Sequence, residues 1–399
     1  HKLIKPNSCT PPPVVWTEEV RSGKGNAKWV KYRTTTDQAN ADAQRSKWKK
    51  VWGGKDAPKG LDTARSIMGY TGDSDITKDG ETADITQEDI DRMRANIRSF
   101  KQHTAMSHEA LKPHLVAWVS DDAIKELIAL FRACEKAGRW PEQWREPLLT
   151  CIPKDKPGEF RLIALLHAAY RIWAKDAARG VSEWMANLED NWIAFGPELS
   201  AENAAYDMAL RTEAADNDKE YTVTMISDLE KGFEKVGHSR IAAAADDYGF
   251  PKPTLMLALD MYRAARRIKC GAALCRQVWT DMGVLAGCPI AMGSLCLAVV
   301  RPMRAYLAAQ PRGLVTTKVY VDDFTSMYKY GMDEYTMDEA ANEIAFNTRK
   351  LHKCLEIEKL YLAPDKSKIL TTNKELAKKI EARLADLGYT HEVEVKLLG

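Results

Sequence analysis

From about residue 86 onward, apolar side chains recur either every third to fourth position or every second position, and the two periods alternate along the chain. The first spacing lines one face of a helix; strict alternation lines one face of a strand. The helical period predicts helices over Thr86–Lys101, which opens on a capping threonine with acids in its first turn, and over Ser120–Ala137. In the second of these Ile124, Leu127, Ile128 and Phe131 share a face, and Gly138 ends the run. Further helices are expected over His167–Asn187, Ser239–Tyr248 and Pro253–Ala265, after Cys288, and over Asp338–Lys359. Strands are expected over Glu146–Pro153 and Phe160–Leu165, around a turn at Asp155-Lys156-Pro157-Gly158, then over Tyr221–Asp228 and as a pair within Arg267–Asp281. The runs Leu314–Val321 and Phe324–Tyr330 are rich in Val, Thr, Tyr and Phe and read as a hairpin. No internal repeat is visible, and the pattern is that of a mixed domain of helices and sheet.

Residues 1–85 break this rhythm. They are polar and weakly periodic, punctuated by Pro11-Pro12-Pro13 and Gly53-Gly54, with one helix expected near Thr36–Val51. Charge sharpens the contrast: a chain of 399 residues with a formal net charge of +2 divides into +8 over residues 1–60 and −6 over the remainder. Trp16, Trp29, Trp48 and Trp52 fall within the basic stretch. Positive charge beside flat rings is the combination that single-stranded nucleic-acid binders use; the plainer alternative is a solvated segment pinned to the main body by its tryptophans. At 45% hydrophobic content the chain is long enough for two or three domains. Eight cysteines without a Cys-x-x-Cys pair give neither a disulfide framework nor a zinc signature, so a reducing compartment is the default. Pairing Cys270 with Cys275, or His352 with Cys354, leaves too sparse a ligand set for a metal site. The longest apolar stretch, Pro289–Val300, is too short to span a bilayer, and no membrane association is expected.

The chemistry is concentrated at Tyr320-Val321-Asp322-Asp323, where two adjacent carboxylates sit in the turn of the predicted hairpin, with Asp228 upstream at the end of its own strand. Crowded carboxylates repel one another unless a cation neutralises them. Magnesium takes oxygen ligands and keeps other positions for water and phosphate, so three such acids match a pair of Mg2+ ions, with Mn2+ as a substitute, in a site that handles nucleoside triphosphates. Residues 228–233 read Asp-Leu-Glu-Lys-Gly-Phe and place an aromatic five positions after the first acid.

From about residue 86 to 399 the chain resembles a reverse transcriptase of the non-LTR retrotransposon type. The motifs that carry the resemblance occur in order: Gly138-Arg139-Trp140-Pro141-Glu142-Gln143-Trp144, Ile152-Pro153-Lys154 and Arg161-Leu162-Ile163 for the fingers, then Asp228–Phe233, Ala286-Gly287-Cys288-Pro289, Tyr320–Asp323 and Asp365-Lys366-Ser367-Lys368 for the palm. Lys396-Leu397-Leu398-Gly399 is similar to the opening of the primer grip. The resemblance implies an α+β, right-hand polymerase fold with helical and hairpin fingers and an antiparallel-sheet palm packed on helices. It divides the chain into an extension (1–85), fingers (86–220) and palm (221–399), with no thumb within these residues. It implies that Asp228, Asp322 and Asp323 hold the metals and bring a primer 3′-oxygen to the α-phosphorus of a dNTP, with Lys366 near the leaving pyrophosphate. Lys154 and Arg161 would hold the triphosphate, Phe233 would leave no room for a 2′-hydroxyl, and Gly287 would let the backbone approach the nascent pair. The partners implied are an RNA template, a DNA or RNA primer and dNTP, with the basic N-terminal arm contacting nucleic acid.

Two departures stand out. Many relatives place glutamine where this chain has Ala286, and proline where it has Leu162. Two other readings share the acids: an RNA-dependent RNA polymerase, which usually carries an aspartate in the place of Phe233, and a domesticated, non-catalytic scaffold that binds RNA or protein. The expected location is intracellular, with the nucleus one candidate, and a chain that opens on His1 leaves any targeting segment unread.

Overall fold

A computed structural model describes residues 16–21, 28–33, 36–53, 61–70, 84–154, 159–188, 190–196, 199–310 and 313–392. The Pro11–Pro13 run, the 155–158 turn and the 396–399 motif lie outside them. The strands are β1 (Trp16–Arg21), β2 (Lys28–Arg33), β3 (Leu148–Pro153), β4 (Phe160–Leu165), β5 (Glu220–Asp228), β6 (Arg267–Cys270), β7 (Ala273–Leu274), β8 (Val315–Tyr320), β9 (Asp323–Gly331), β10 (Lys368–Leu370) and β11 (Thr390–His391). The helices are α1 (Asp37–Val51), α2 (Leu61–Ile67), α3 (Gln87–Arg98), α4 (Asp121–Ala137), α5 (Ala168–Ala186), α6 (Ala201–Asn217), α7 (Gly232–Lys235), α8 (His238–Asp247), α9 (Lys252–Tyr262), α10 (Ala291–Ala308), α11 (Met337–Ile357) and α12 (Lys374–Arg383). Helices and sheets are mixed, as expected. No helix among the described residues is long and apolar enough to cross a membrane. The chain forms two compact units, one from residues 1–178 and 253–291, the other from 179–252 and 292–399.

Unit one is built round tryptophan. Thr86 and Asp89 form a capping box at the start of α3, and Ser120 caps α4. Gly138 ends α4 in the left-handed conformation at φ 64°, and the chain turns straight into buried Trp140. The Trp140 indole N–H donates to the Leu257 carbonyl at 2.9 Å, and its ring lies edge-on to Phe131, Tyr170 and Trp173. Its backbone N–H donates to Asp260, which is fully buried beside Arg145 at 3.2 Å. The Gly138–Trp144 run is thus a structural centre of this unit. Its main sheet has the order β4-β3-β6-β7, with β3 antiparallel to β4 and parallel to β6.

The N-terminal stretch holds more structure than its weak periodicity predicts. The expected helix is present as α1, but β1 and β2 pair into a hairpin ahead of it, and α2 follows. Trp48 and Trp52 are buried and stacked on each other at 5.3 Å, and Trp52 lies beneath the Arg266 guanidinium at 4.6 Å. Asp37 accepts from the Ala272 N–H and the Trp52 carbonyl accepts from Thr280, so α1 is fixed to the β6–β7 region. For these two tryptophans the pinned reading holds and the free stacking one does not. Trp16 and Trp29 fall on strands whose side chains lie outside the description. The strand pair expected within Arg267–Asp281 is also shorter than predicted: β7 is two residues long, and beyond it only an isolated bridge joins Arg266 to Val278.

Unit two is a five-stranded sheet, β11-β10-β5-β9-β8, buried on both faces. On one face Val223 and Met225 of β5 with Tyr328 and Tyr330 of β9 pack against Ala340, Ala341 and Ile344 of α11 and Leu376 and Ile380 of α12. Fully burying each large apolar side chain contributes about 1.5–3 kcal/mol. On the other face Met327 meets Met208 and Ala215 of α6. Neither α6 nor α12 is among the predicted helices. In α6 the buried positions are mostly alanine, so the helical face carries little apolar contrast despite a capping Ser200.

Candidate active site

The double-sided burial of the sheet fixes its register, and the register gathers the acids. A slip of one residue would turn every side chain of β5 or β9 to the wrong face. In the observed pairing Asp228, the last residue of β5, lies directly opposite Asp323, the first residue of β9. Tyr320 also pairs with Asp323, so Val321 and Asp322 alone make the hairpin turn. Val321 has φ 62°, a left-handed conformation that β-branched residues avoid. The Asp322 carbonyl accepts from the Leu229 N–H at 2.9 Å, which ties the turn to the end of β5. Gly232 sits against the same turn: a Cβ there would lie 3.4 Å from Asp322 Cβ and 3.1 Å from Leu229 Cβ. Phe233 follows at once on α7 and is half-buried.

Lys366 enters from the 361–366 segment, which runs beside residues 228–230 through hydrogen bonds from Glu230 N–H to the Tyr361 carbonyl and from Ala363 N–H to the Asp228 carbonyl. Its ammonium donates to Asp228 Oδ2 at 2.6 Å. Burial pulls the Lys366 pKa down, but the Asp228 bond and the charges of all three acids outweigh it, and the group is held above its ordinary value. Asp322 is pushed up to about 6 by burial first, then by the charges of Asp228 and Asp323, with Lys366 opposing. Behind Asp228, Ser227 hydrogen-bonds the buried Tyr389 hydroxyl at 2.7 Å, and Tyr389 bonds His352 Nε2 at 3.1 Å. This support escaped the sequence reading, because contacts over such separations leave no local signal.

Unit one carries the other three expected residues. Ile152 pairs with Arg161 across β3–β4, and two residues further along the Lys154 N–H donates to the Glu159 carbonyl. Directly opposed residues share a face, so Lys154 and Arg161 lie diagonally on one side of the hairpin, and both are exposed. Gly287 has φ 103°, and a Cβ there would fall 2.9 Å from the Ala164 carbonyl oxygen. The neighbouring Ala286 carbonyl accepts from the Ala164 N–H at 2.8 Å. Gly287 therefore has a packing task inside unit one, as the residue that lets this segment lie on β4.

A family model described as reverse transcriptase (RNA-dependent DNA polymerase) matches residues 152–399, more than half of the chain. The chain belongs to this family. The match runs from the hairpin bearing Lys154 and Arg161 through all three acids and Lys366. No curated protein sequence matches the chain. Membership indicates a polymerase of the nucleotidyltransferase type. Such enzymes generally use divalent metal ions. Among the described residues no group of three or more His, Cys, Asp or Glu side chains is assembled as a ready metal cage. The donors present nonetheless fit magnesium, which needs only one or two carboxylates and draws its remaining ligands from water and phosphate. Asp322 is raised to about 6 by burial first and by the neighbouring Asp228 and Asp323 second, and a hard cation beside it would relieve the part that comes from those charges. A cation at Asp228 would compete with Lys366 for Oδ2.

Proposed function

We propose that this chain is an RNA-directed DNA polymerase of the non-LTR retrotransposon type, extending a primer on an RNA template. The observation that carries the reading is the convergence of Asp228, Asp322 and Asp323 at one end of β5 and β9, with Phe233 one residue beyond the glycine that touches the acidic turn. Asp228 and Asp322, backed by Asp323, would hold two Mg2+ ions. Bound there, the metal supplies charge neutralisation at the attacking and leaving oxygens. In the step itself the primer 3′-oxygen forms a bond to the α-phosphorus of the dNTP, the bond from that phosphorus to the bridging oxygen breaks, and pyrophosphate leaves. Lys366, kept protonated by the acids, offsets the charge of the leaving group. Phe233 excludes a 2′-hydroxyl; being half-buried, it differs from a fully enclosed core phenylalanine. Lys154 and Arg161 bind phosphate oxygens from the exposed face of their hairpin. In this reading unit two plays the part of the palm and the β3–β4 hairpin that of the fingers.

Primer extension on an RNA template tests it. Magnesium-dependent incorporation of dNTPs is expected, lost in Asp322→Asn, with Phe233→Ala raising the use of rNTPs at least tenfold relative to dNTPs. Equal incorporation by Asp322→Asn, or efficient rNTP use by the parent chain, would overturn the assignment; the second result would favour an RNA polymerase. One observation favours the non-catalytic scaffold: Lys366 already neutralises Asp228, so the site can stand without metal. Binding of a structured RNA with no turnover would support that alternative.

A further inference from the structure

The parallel register of β3 and β6 sets Leu148 beside Arg267, Leu149 beside Ile268 and Thr150 beside Lys269. The next step along both strands brings Cys151 to Cys270, and residues opposite one another on neighbouring strands point to the same face. Both thiols are free, and their Sγ atoms are hydrogen-bonded at 2.8 Å. Adjacent strands lie about 4.8 Å apart, within the roughly 4.4–6.8 Å between Cα atoms that a disulfide spans. A disulfide of about 2.05 Å needs these sulfurs to close by less than about 1 Å. Cys270 is buried and Cys151 half-buried, so a small reagent reaches the pair from the Cys151 side. Sharing one proton draws the Cys270 thiol below its ordinary pKa, against burial and the charge of Asp37, and raises that of Cys151. Cys275, on the same segment as Cys270, is engaged with backbone: its Sγ accepts from the Ile268 N–H at 3.1 Å and donates to the Arg276 carbonyl at 3.0 Å.

We propose that Cys151 and Cys270 form an oxidation site at which hydrogen peroxide closes a reversible disulfide between β3 and β6. The Cys270 thiolate attacks one peroxide oxygen, the O–O bond breaks, and a sulfenic acid forms while the other oxygen leaves as hydroxide and takes up the proton that Cys270 gave up. The Cys151 sulfur then attacks the sulfenic sulfur, the S–O bond breaks, and the departing hydroxyl carries off the Cys151 proton as a second water. Two thiols and one peroxide thus give one disulfide and two waters, with two electrons passing from the sulfurs to the peroxide. A dithiol reductant returns both electrons and restores the pair. Ladder pairing of β3 with β6 ends at Thr150 and Lys269, whereas β3 stays paired with β4 as far as Pro153. The bridge therefore tethers the root of the hairpin that carries Lys154 and Arg161, just where β6 stops supporting it. An effect on triphosphate held by that hairpin rests on the polymerase reading; the bridge itself does not.

The test exposes the full chain to hydrogen peroxide in EDTA, alkylates it under denaturing conditions and maps its tryptic peptides by mass spectrometry. Alkylatable thiols should fall from eight to six and return to eight after dithiothreitol. The peptide holding Cys151 should be joined to the one holding both Cys270 and Cys275, with tandem fragmentation placing the bond on Cys270. Cys270→Ser and Cys151→Ser should each lose the joined peptide, and Cys275→Ser should keep it. In urea, where 119 positions of flexible chain separate the two sulfurs, the joined peptide should form about tenfold or more slowly. Amide exchange over β3 and β4 should slow in the oxidised chain. Eight thiols surviving peroxide, a bond to Cys275 or another cysteine, sulfinic acid in place of a bridge, equal rates in the folded and unfolded chain, or unchanged exchange along the hairpin would each overturn the proposal. The parent chain alone decides the first four, so a serine variant that fails to fold does not obscure the result. Because no extension is measured, failure of the polymerase assignment leaves this result standing, and failure here leaves that assignment untouched.

Discussion

Replacing Asp322 with asparagine tests the acid cluster through stability, with no substrate present. Asparagine keeps the shape of the side chain and removes its charge. The Asp322 carboxyl rises from an ordinary 3.8 to about 6, chiefly because it is buried and then because Asp228 and Asp323 surround it. At about 1.36 kcal/mol per pK unit, that shift makes its ionised form about 3 kcal/mol less favourable when folded than when unfolded. Solvent reaches part of the group, so about 1–2 kcal/mol is the magnitude to expect. The sign follows from linkage: a carboxyl whose folded pKa is raised stabilises the fold while protonated, and that contribution is lost as pH rises through about 6. At pH 7.5 the charge is therefore a cost, and in EDTA the variant should melt above the parent. For a domain of 150–250 residues each kcal/mol shifts Tm by about 2–4 °C. Excess magnesium should reverse the order, because a ligand at a hundred times its Kd stabilises the parent by about 2.7 kcal/mol while the variant lacks a carboxylate. Thermal melts followed by circular dichroism, with EDTA and with MgCl2, give both comparisons. A variant less stable than the parent in EDTA, or equal stabilisation of both by magnesium, would refute the reasoning.

Two further outcomes follow from the packing. Gly287→Ala places a methyl 2.9 Å from the Ala164 carbonyl oxygen at φ 103°, and should destabilise unit one by about 2–4 kcal/mol, read as an earlier urea midpoint. His352 is lowered to about 4 by burial first and by Arg349 second, with Asp386 opposing, so it stays neutral when folded while the unfolded residue takes up a proton near 6.5. Its contribution is full above 6.5 and is lost as pH falls towards 4; His352→Gln should accordingly remove about 1–2 kcal/mol of the parent's loss between pH 7.5 and 5, measured by urea unfolding at the two values.

Most elements of both units were legible because their helices bury one apolar face and their strands are runs of β-branched and aromatic residues. The helices α3, α4 and α11 announce themselves through caps and apolar faces, and β5, β8 and β9 through β-branched and aromatic runs. The missed elements lack that contrast. An alanine-rich face such as that of α6 reads as neutral, and α12 is short. In the N-terminal stretch the sequence left open whether Trp48 and Trp52 are free for stacking or pinned, because their burial depends on Arg266 and Thr280, more than two hundred residues distant. Charge pattern shows that a segment is basic; which side of it is covered is decided by partners that pattern does not contain.

The acids show the same division at finer scale. Their identity and strand-end positions are local facts, so the sequence exposes them, but what holds them together is not local. Val321 occupies a left-handed conformation that costs a non-glycine residue about 1–2 kcal/mol, and a glycine there would satisfy the local rule better. Such strain persists where surrounding contacts over-determine the turn. Here those contacts are the Leu229 N–H on the Asp322 carbonyl, the close approach of Gly232 to the Asp322 side chain, and the Asp228–Asp323 pairing. The same constraints keep Asp322 within reach of the charges of Asp228 and Asp323, which add to burial in raising its pKa. The strained turn and the raised Asp322 pKa are thus two consequences of one packing arrangement, and relaxing either should loosen the other.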